Sequence, residues 1–286
     1  MAQTRQEKSA VPADGGKVVY ADPATEAALR PNVGELFDPA SAGWQRVKHN
    51  ASRTVYRGAI GGESIYLKQF HSKSLLHRLI CRFGSSDAMR EMRFSRHLQQ
   101  RGVPTAEPLA AVCRDGVEWL ATRAVEPSVP ADAWHVQQLS LGREGLRRID
   151  QAAAELGRMV GRMHAAGVIH SDLHCGNVLV RTAEGQAGGG QAGRGPVRLV
   201  LMDLHRASRR RRLSRTARAK NLAQLLHDRY YLTTRTQQIR FLKHYLAASG
   251  AAGSLRGWQM LVEHFAHMHS RRQHHQRDRR VMRDGK

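Results

Sequence analysis

The strongest constraint on this chain is the run His170-Ser171-Asp172-Leu173-His174-Cys175-Gly176-Asn177, followed by the apolar residues Val178-Leu179-Val180. It reads as a carboxylate, four spacers, an amide and a strand. A second apolar run, Leu199-Val200-Leu201-Met202, follows and ends in Asp203. Two carboxylates and an amide, on two short strands joined by a loop, can hold Mg²⁺ and a substrate hydroxyl beside each other. That is the inventory of phosphoryl transfer from ATP. Asp172 would accept or orient the hydroxyl proton, and Asn177 and Asp203 would hold the metal.

Composition adds partners. The chain has 286 residues and a formal net charge of +22, enough length for one or two domains with a buried core. Such a charge favours polyanions: nucleic acid, acidic lipid or phosphorylated glycan. The basic runs lack the interleaved aromatics of single-strand binders, which argues against nucleic acid. The three cysteines, Cys81, Cys113 and Cys175, are far apart and without metal spacing, so neither a disulfide framework nor a thiol metal site is expected. No apolar stretch reaches the roughly 18 residues of a membrane span. Residues 1–16 are polar without an apolar core, unlike a secretory signal. A soluble or peripheral protein is expected.

Residues 1–40 show no periodicity and are expected to be a mobile arm, with at most a short helix near Thr25–Leu29. Alternation then predicts strands at 44–48, 54–58 and 64–70, the last two joined by a Gly61-Gly62 turn. Lys68 lies late in the third strand, where an ammonium can meet the α/β-phosphates. The 49–53 link has no glycine, so phosphate contact there falls to backbone N–H groups, Ser52 or Arg53. Residues 86–98 have a helical period, with Ser86 or Asp87 as cap. Glu91 is the one acid in the middle of this basic helix: a partner that orients Lys68, or else an ordinary surface pair. Two more strands, 108–113 and 117–122, lead to a hinge at 121–127.

A long helix is expected from Arg143 to Ala166, ended by Gly167. Residues 183–196 are low complexity and read as a hairpin tip. Beyond Asp203 lies the most basic segment, with His205, Arg206, Arg209, Arg210, Arg211, Arg212, Arg215, Arg218 and Lys220. Its position beside Asp203 suits it to an anionic acceptor. Further helices are expected at 221–231, at 234–248 with a Thr234/Gln237 capping box, and at 254–269, followed by a basic, frayed tail at 271–286.

These residues match H-x-D-x-x-x-x-N, with Asp203 where the Asp of D-F-G stands in protein kinases, although Leu204-His205 replaces the Phe-Gly. With Tyr66-Leu67-Lys68, Glu91, Met202-Asp203-Leu204-His205-Arg206-Ala207, Lys220-Asn221-Leu222-Ala223, Leu232-Thr233-Thr234-Arg235-Thr236 and Arg240-Phe241-Leu242-x-x-Tyr245-Leu246, the chain resembles the lipopolysaccharide kinase (Kdo/WaaP) family across roughly 44–250. The resemblance implies an α+β, bilobal protein-kinase-like fold. A small antiparallel N-lobe with one helix would span 41–126, and a mainly helical C-lobe 127–270. It also implies ATP- and Mg²⁺-dependent phosphorylation of a heptose or Kdo hydroxyl in the lipopolysaccharide inner core. The partners would then be ATP, an anionic glycolipid and an anionic membrane surface, at the cytoplasmic face of the inner membrane. Asn221 departs from the Asp often found in the family. Two alternatives stay open: a small atypical Ser/Thr protein kinase, and a pseudokinase that binds polyanions.

Overall fold

The structure is a computed structural model that describes residues 17–71, 86–114, 117–182, 195–227 and 233–284. These fall into two compact units. One takes the described residues up to Gln99 with Thr105–Val125 and Asp203–Arg206; the other takes Gln100–Pro104, Glu126–Met202 and the residues from Ala207 on. The first is built on an antiparallel sheet and the second is mainly helical, the α+β architecture that the sequence implied.

The first unit contains β1 (Lys17–Tyr20), β2 (Gln45–His49), β3 (Arg53–Ile60), β4 (Glu63–Phe70), β5 (Pro108–Arg114) and β6 (Val117–Arg123). Their order in the sheet is β1-β5-β6-β4-β3-β2, and every neighbouring pair is antiparallel. The β3–β4 hairpin turns at Gly61 and Gly62, both at positive φ (59° and 81°), a backbone region that L side chains rarely enter.

The stretch 17–37 is not the mobile arm that its lack of periodicity suggested. β1 pairs with β5 at the sheet edge. Helices α1 (Pro23–Leu29) and α2 (Val33–Phe37) follow it. Asp22 caps α1 by accepting a hydrogen bond from the Thr25 N–H at 2.9 Å. Leu29 and Leu36 are buried with Val18, Trp44, Ile65, Leu67 and Trp119. Four strand residues and two turns of helix are too short to show a period, yet they cover one face of the sheet. The opposite face carries Phe70 and Leu120 under Ala88, Met89 and Met92 of α3 (Asp87–Gln99). Ser86 Oγ accepts from the Met89 N–H at 3.2 Å, and buried Glu118 accepts from the Ala88 N–H at 3.0 Å. Of the two caps expected, Ser86 serves, and a cross-sheet carboxylate shares the role in place of Asp87.

The second unit opens with β7 (Ser128–Pro130) and α4 (Ala131–Leu139), a helix that the sequence did not suggest. There follow α5 (Gly142–Ala165), β8 (Val168–His170), β9 (Val178–Arg181), β10 (Arg198–Leu201) and β11 (Ala207–Arg209). The strands form a β10-β9-β7 sheet and a separate β11-β8 pair. Helices α6 (Arg215–His227), α7 (Arg235–Ser249) and α8 (Leu255–Asp284) complete the unit. α6 begins at Arg215, six residues earlier than expected, so the second half of the basic segment is helical. α8 runs on to Asp284, through the stretch expected to be a frayed tail. The Thr234/Gln237 capping box is present at α7. The sequence also suggests a basic connector at 71–82 and a turn at 114–116; of these and of the hairpin tip at 183–196, residues 72–82, 115–116 and 183–194 lie outside the described residues.

α5 and α7 meet through glycine. A Cβ on Gly157 would stand 2.4 Å from the Phe241 carbonyl oxygen, and one on Gly161 would stand 2.8 Å from that of Tyr245. The contact is with backbone, which cannot swing aside as a side chain can. Gly157→Ala should gain up to about 1 kcal/mol of helix propensity. Overpacking costs about 1–3 kcal/mol, so net destabilisation is expected, read as a lower urea midpoint at unchanged slope. A midpoint that rises would show that the two helices can part freely.

Candidate functional site

In the first unit, strand alternation and helix period aim two charges at each other. On β4, Ile65 and Leu67 point into the core beside Trp119, leaving Lys68 and Phe70 on the face that α3 covers. On α3, Glu91 lies among the buried residues Ala88, Met92 and Ser95. Lys68 Nζ donates to both Glu91 oxygens, at 2.7 and 2.8 Å. Glu91 is 5% exposed, so it is no surface pair.

Asp203 joins this cluster. It has φ 65°, in the left-handed region that Asp tolerates better than most residues. Buried Leu204 follows in a 3₁₀ turn. Lys68 Nζ lies 3.2 Å from Asp203 Oδ1, His205 Nδ1–H donates to the same oxygen at 2.7 Å, and Arg53 pairs with Oδ2. Burial alone would raise the Asp203 pKa. The His205 bond and the charges of Lys68, His205 and Arg53 outweigh it and hold the carboxyl far below the usual range. Asp203 is therefore a carboxylate at every working pH. His205 was grouped by sequence with acceptor-facing arginines; the structure puts it instead on Asp203, edge-on to Phe70 at 5.6 Å.

The glycine-free link is closed by Asn50. Its Oδ1 accepts from the Ser52 N–H (3.0 Å), Ser52 Oγ (2.8 Å) and the Arg53 N–H (3.0 Å). The donors expected to meet phosphate at Ser52 and at the Arg53 backbone are thus already used. The Arg53 guanidinium is the group that reaches the cluster. Asn50 went unnoticed, although an Asn that bonds its own backbone two residues on is a recognisable turn signal.

In the second unit, β8 delivers the chain into the Asp172 loop. His170 Nε2–H donates to the Met202 carbonyl at 2.9 Å, which leaves Nδ1 to accept the Asp172 N–H at 3.2 Å. Asp172 itself is 45% exposed at its side chain, with His174 Nε2 at 3.8 Å. Asn177 is buried; its Nδ2 donates to the Asp172 carbonyl at 2.8 Å, and its own carbonyl accepts from the Met202 N–H at 2.9 Å. Its Oδ1 stays available as a neutral oxygen ligand.

Asn221, on α6, supports this loop. Its Nδ2 donates to the His170 carbonyl at 2.7 Å, and its Oδ1 accepts from the His170 N–H at 3.3 Å. The same Oδ1 lies 3.1 Å from His164 Nε2, while His164 Nδ1 lies 3.0 Å from the Tyr245 hydroxyl. One assignment satisfies every group: Nε2–H donates to Asn221, and Nδ1 accepts from Tyr245. Burial, with the charge of Arg218 adding to it, pushes the His164 pKa down from 6.5 to about 4; the ring is neutral. Gln224 adds a bond to the Ser171 carbonyl at 2.8 Å. His164 was not singled out by the sequence; no sequence signal paired it with Tyr245.

The arginine run divides. Arg206 and Arg209–Arg212 are exposed, as is Lys220. Arg215 instead stacks on Trp258 at 5.4 Å, and Arg218 reaches the Leu213 and Ser249 carbonyls. Beside the loop lies a cavity of about 460 Å³ lined by Ile169, Ser171, Lys220, Gln224, Phe265 and Met268 among others. Lys220 Nζ stands 5.3 Å from the centre of the Phe265 ring. Ile169 pairs with Ser208, so the exposed arginines begin on the strand next to the cavity wall.

Comparison with known proteins places the chain beside lipopolysaccharide kinases. The model of the lipopolysaccharide kinase (Kdo/WaaP) family matches residues 44–245. The chain is similar to the lipopolysaccharide core heptose(I) kinase WaaP of Pseudomonas aeruginosa: 30% identical over 165 residues, 55% of this chain and 59% of that protein. It thus aligns with somewhat under two thirds of that relative's length. A solved structure of WaaP in complex with acyl carrier protein matches with TM-score 0.61 at 23% identity, over 88% of this chain and 98% of that one, a likeness of fold.

Harm is expected from Asn221→Asp. A carboxylate cannot donate to the His170 carbonyl and would leave that buried acceptor facing another. The expected cost is about 1–3 kcal/mol, read in urea unfolding, and a variant as stable as the parent would refute the assignment of Nδ2. His164 carries a pH signature. Unfolded, it binds a proton near 6.5; folded, near 4. Its contribution is full above pH 6.5 and is lost as pH falls toward 4, about 3 kcal/mol in all. His164→Gln should flatten stability against pH over that window, and an unchanged slope would contradict the buried neutral ring.

Proposed function

This chain belongs to the lipopolysaccharide kinase (Kdo/WaaP) family, and we propose that it transfers the γ-phosphoryl group of ATP to a heptose or Kdo hydroxyl of the lipopolysaccharide inner core. The observation that carries this reading is Lys68, held by both oxygens of buried Glu91 with Asp203 at 3.2 Å. A cation so fixed has the place and charge to take the α/β-phosphates. Arg53, beside it, is the second cation for the nucleotide.

The donors fit Mg²⁺, which prefers hard oxygen ligands. Asp203 is a permanent carboxylate, and Asn177 keeps Oδ1 free of its own amide bond to Asp172. Bound Mg²⁺ would neutralise phosphate charge. Asp172 is placed by the His170 and Asn177 bonds, with a half-exposed carboxylate open to an acceptor. Asp172 takes the proton of the sugar hydroxyl; the sugar oxygen bonds to the γ-phosphorus as the bond to the β-phosphate oxygen breaks, and ADP leaves. Lys68 and Arg53 offset the charge that moves onto the leaving group.

The acceptor is assigned to the cavity beside the loop. An aromatic ring with an ammonium over it suits a sugar carrying a negative group, and Arg209–Arg212 extend the positive surface; Arg206 is proposed as a further cation for the acceptor. Clustered arginines would repel a polycationic sugar such as an aminoglycoside. Among the described residues no helix is long and apolar enough to cross a membrane. A peripheral position at the cytoplasmic face of the inner membrane, where such an acceptor is built, is part of this proposal.

The test is label transfer from γ-labelled ATP, with Mg²⁺, to deep-rough lipopolysaccharide or Kdo-lipid A. Asp172→Ala should lose about 10²–10⁴-fold in kcat while still binding ATP. Label that appears only in protein would move the assignment to a protein kinase, and absence of nucleotide binding would remove the catalytic reading. Lys220→Ala should raise KM for the glycolipid several-fold and leave KM for ATP in place. Equal acceptor KM in parent and variant would remove the cavity from the site.

A further inference from the structure

The corner between α4 and α5 is apolar on the wrong side. Among the described residues, the large hydrophobic side chains that are exposed are Val47, Val136, Leu139, Leu141, Leu146, Met260 and Met268. Four of these seven fall within 136–146: Val136 at 56%, Leu139 at 42%, Leu141 at 47% and Leu146 at 44%. The core does not call for them. The inner faces of the same helices are supplied by Trp134, Gln138, Gly145, Arg148 and Ile149, all buried. Arg148 lies over Trp134 at 5.7 Å.

The corner is also rigidly formed. Only Ser140 and Leu141 separate the helices. The Leu141 N–H donates to the Gln138 carbonyl at 3.0 Å, and Ser140 Oγ donates to that of Gln137 at 2.7 Å. Gly142 takes φ 57° to turn the chain. A Cβ on Gly145 would stand 1.7 Å from the Gln138 carbonyl oxygen and 3.1 Å from Leu141 Cβ. The two helix ends therefore touch, and the leucines flanking them share one surface. Val136 and Leu139, at i and i+3, lie on one face of α4.

Charge selects what this surface meets. Arg143 and Arg147 are exposed in the same corner. Its one acid, Glu144, is 3.6 Å from Arg147 in an exposed pair, too weak to cancel the arginines. Exposed leucines are interleaved with exposed arginines where the two helices meet. They match a bilayer interface, where acyl chains take the leucines and anionic headgroups take the guanidinium groups. The net charge of +22 favours the same partner at longer range.

We infer that the α4–α5 corner is a membrane-docking surface that inserts Leu139, Leu141 and Leu146 into an anionic bilayer. The inference deepens the glycolipid-kinase reading by stating how the protein meets its acceptor's membrane. It is tested without ATP or acceptor, so either reading can fail alone.

The experiment is co-sedimentation of the full chain with vesicles containing phosphatidylglycerol, against pure phosphatidylcholine vesicles, at low and high salt. The parent should bind the anionic vesicles. Leu139→Ser combined with Leu141→Ser should weaken binding about tenfold or more, as should Arg143→Ala with Arg147→Ala. Met260→Ser, at another exposed apolar site, should bind as the parent does. All the changed residues are exposed, so unfolding midpoints should stay close to that of the parent. The inference is overturned if the leucine variant binds like the parent, with salt alone governing binding. It is equally overturned if the parent ignores anionic vesicles, or if the leucine changes only dissociate an oligomer on gel filtration.

Discussion

Everything in the first unit is arranged around two buried carboxylates that cannot be left alone. Glu91 and Asp203 are each about one-twentieth exposed, and a buried carboxylate left without a partner would bear the full cost of desolvation. Lys68, His205 and Arg53 prevent that, and each comes from a different place: β4, the 3₁₀ turn after Asp203, and the start of β3. The β3–β4 register sets Arg53 directly opposite Phe70. The Asp203–Arg206 segment belongs with the sheet unit although the chain around it belongs to the helical one. A buried charge set of this kind adds little net stability compared with an apolar core, but losing one member would expose the rest to the full desolvation cost. Its value is that it fixes a lysine and a carboxylate beside each other.

The second unit fixes its loop by neutral groups. Asn177, Asn221, Gln224 and neutral His164 make the loop's bonds, several of them to backbone atoms. The chain of bonds runs from α7 through α5 and α6 to β8, and the glycine contact of α5 with α7 keeps Tyr245 within reach of His164. Packing and polar satisfaction are therefore one design: the helices must touch closely for the hydrogen bonds to close.

The sequence displayed the parts of the site that are carried by spacing. Asp172, Asn177 and Asp203 stand out because each polar group borders or closely follows a short apolar run. Lys68 and Glu91 stand out because each is an ionic residue at a position of fixed period. The β2–β4 strands, the capping box and the long α5 helix were legible for the same reason. What stayed hidden depends on tertiary register. Nothing local shows that Val18, Leu29 and Leu36 cover a sheet face, that His205 turns to Asp203 while Arg206 faces solvent, or that Arg215 and Arg218 serve the helices. Tyr245 and His164 are 81 residues apart, and their pairing follows only from the helix crossing.

The amide at Asn221 has an electrostatic consequence. A carboxylate at that place would set a buried negative charge behind the loop, two residues along the chain from Asp172. Like charge at short range makes a second carboxylate harder to ionise. With a neutral amide and a neutral imidazole instead, the loop is held by groups that cast almost no field on its acid.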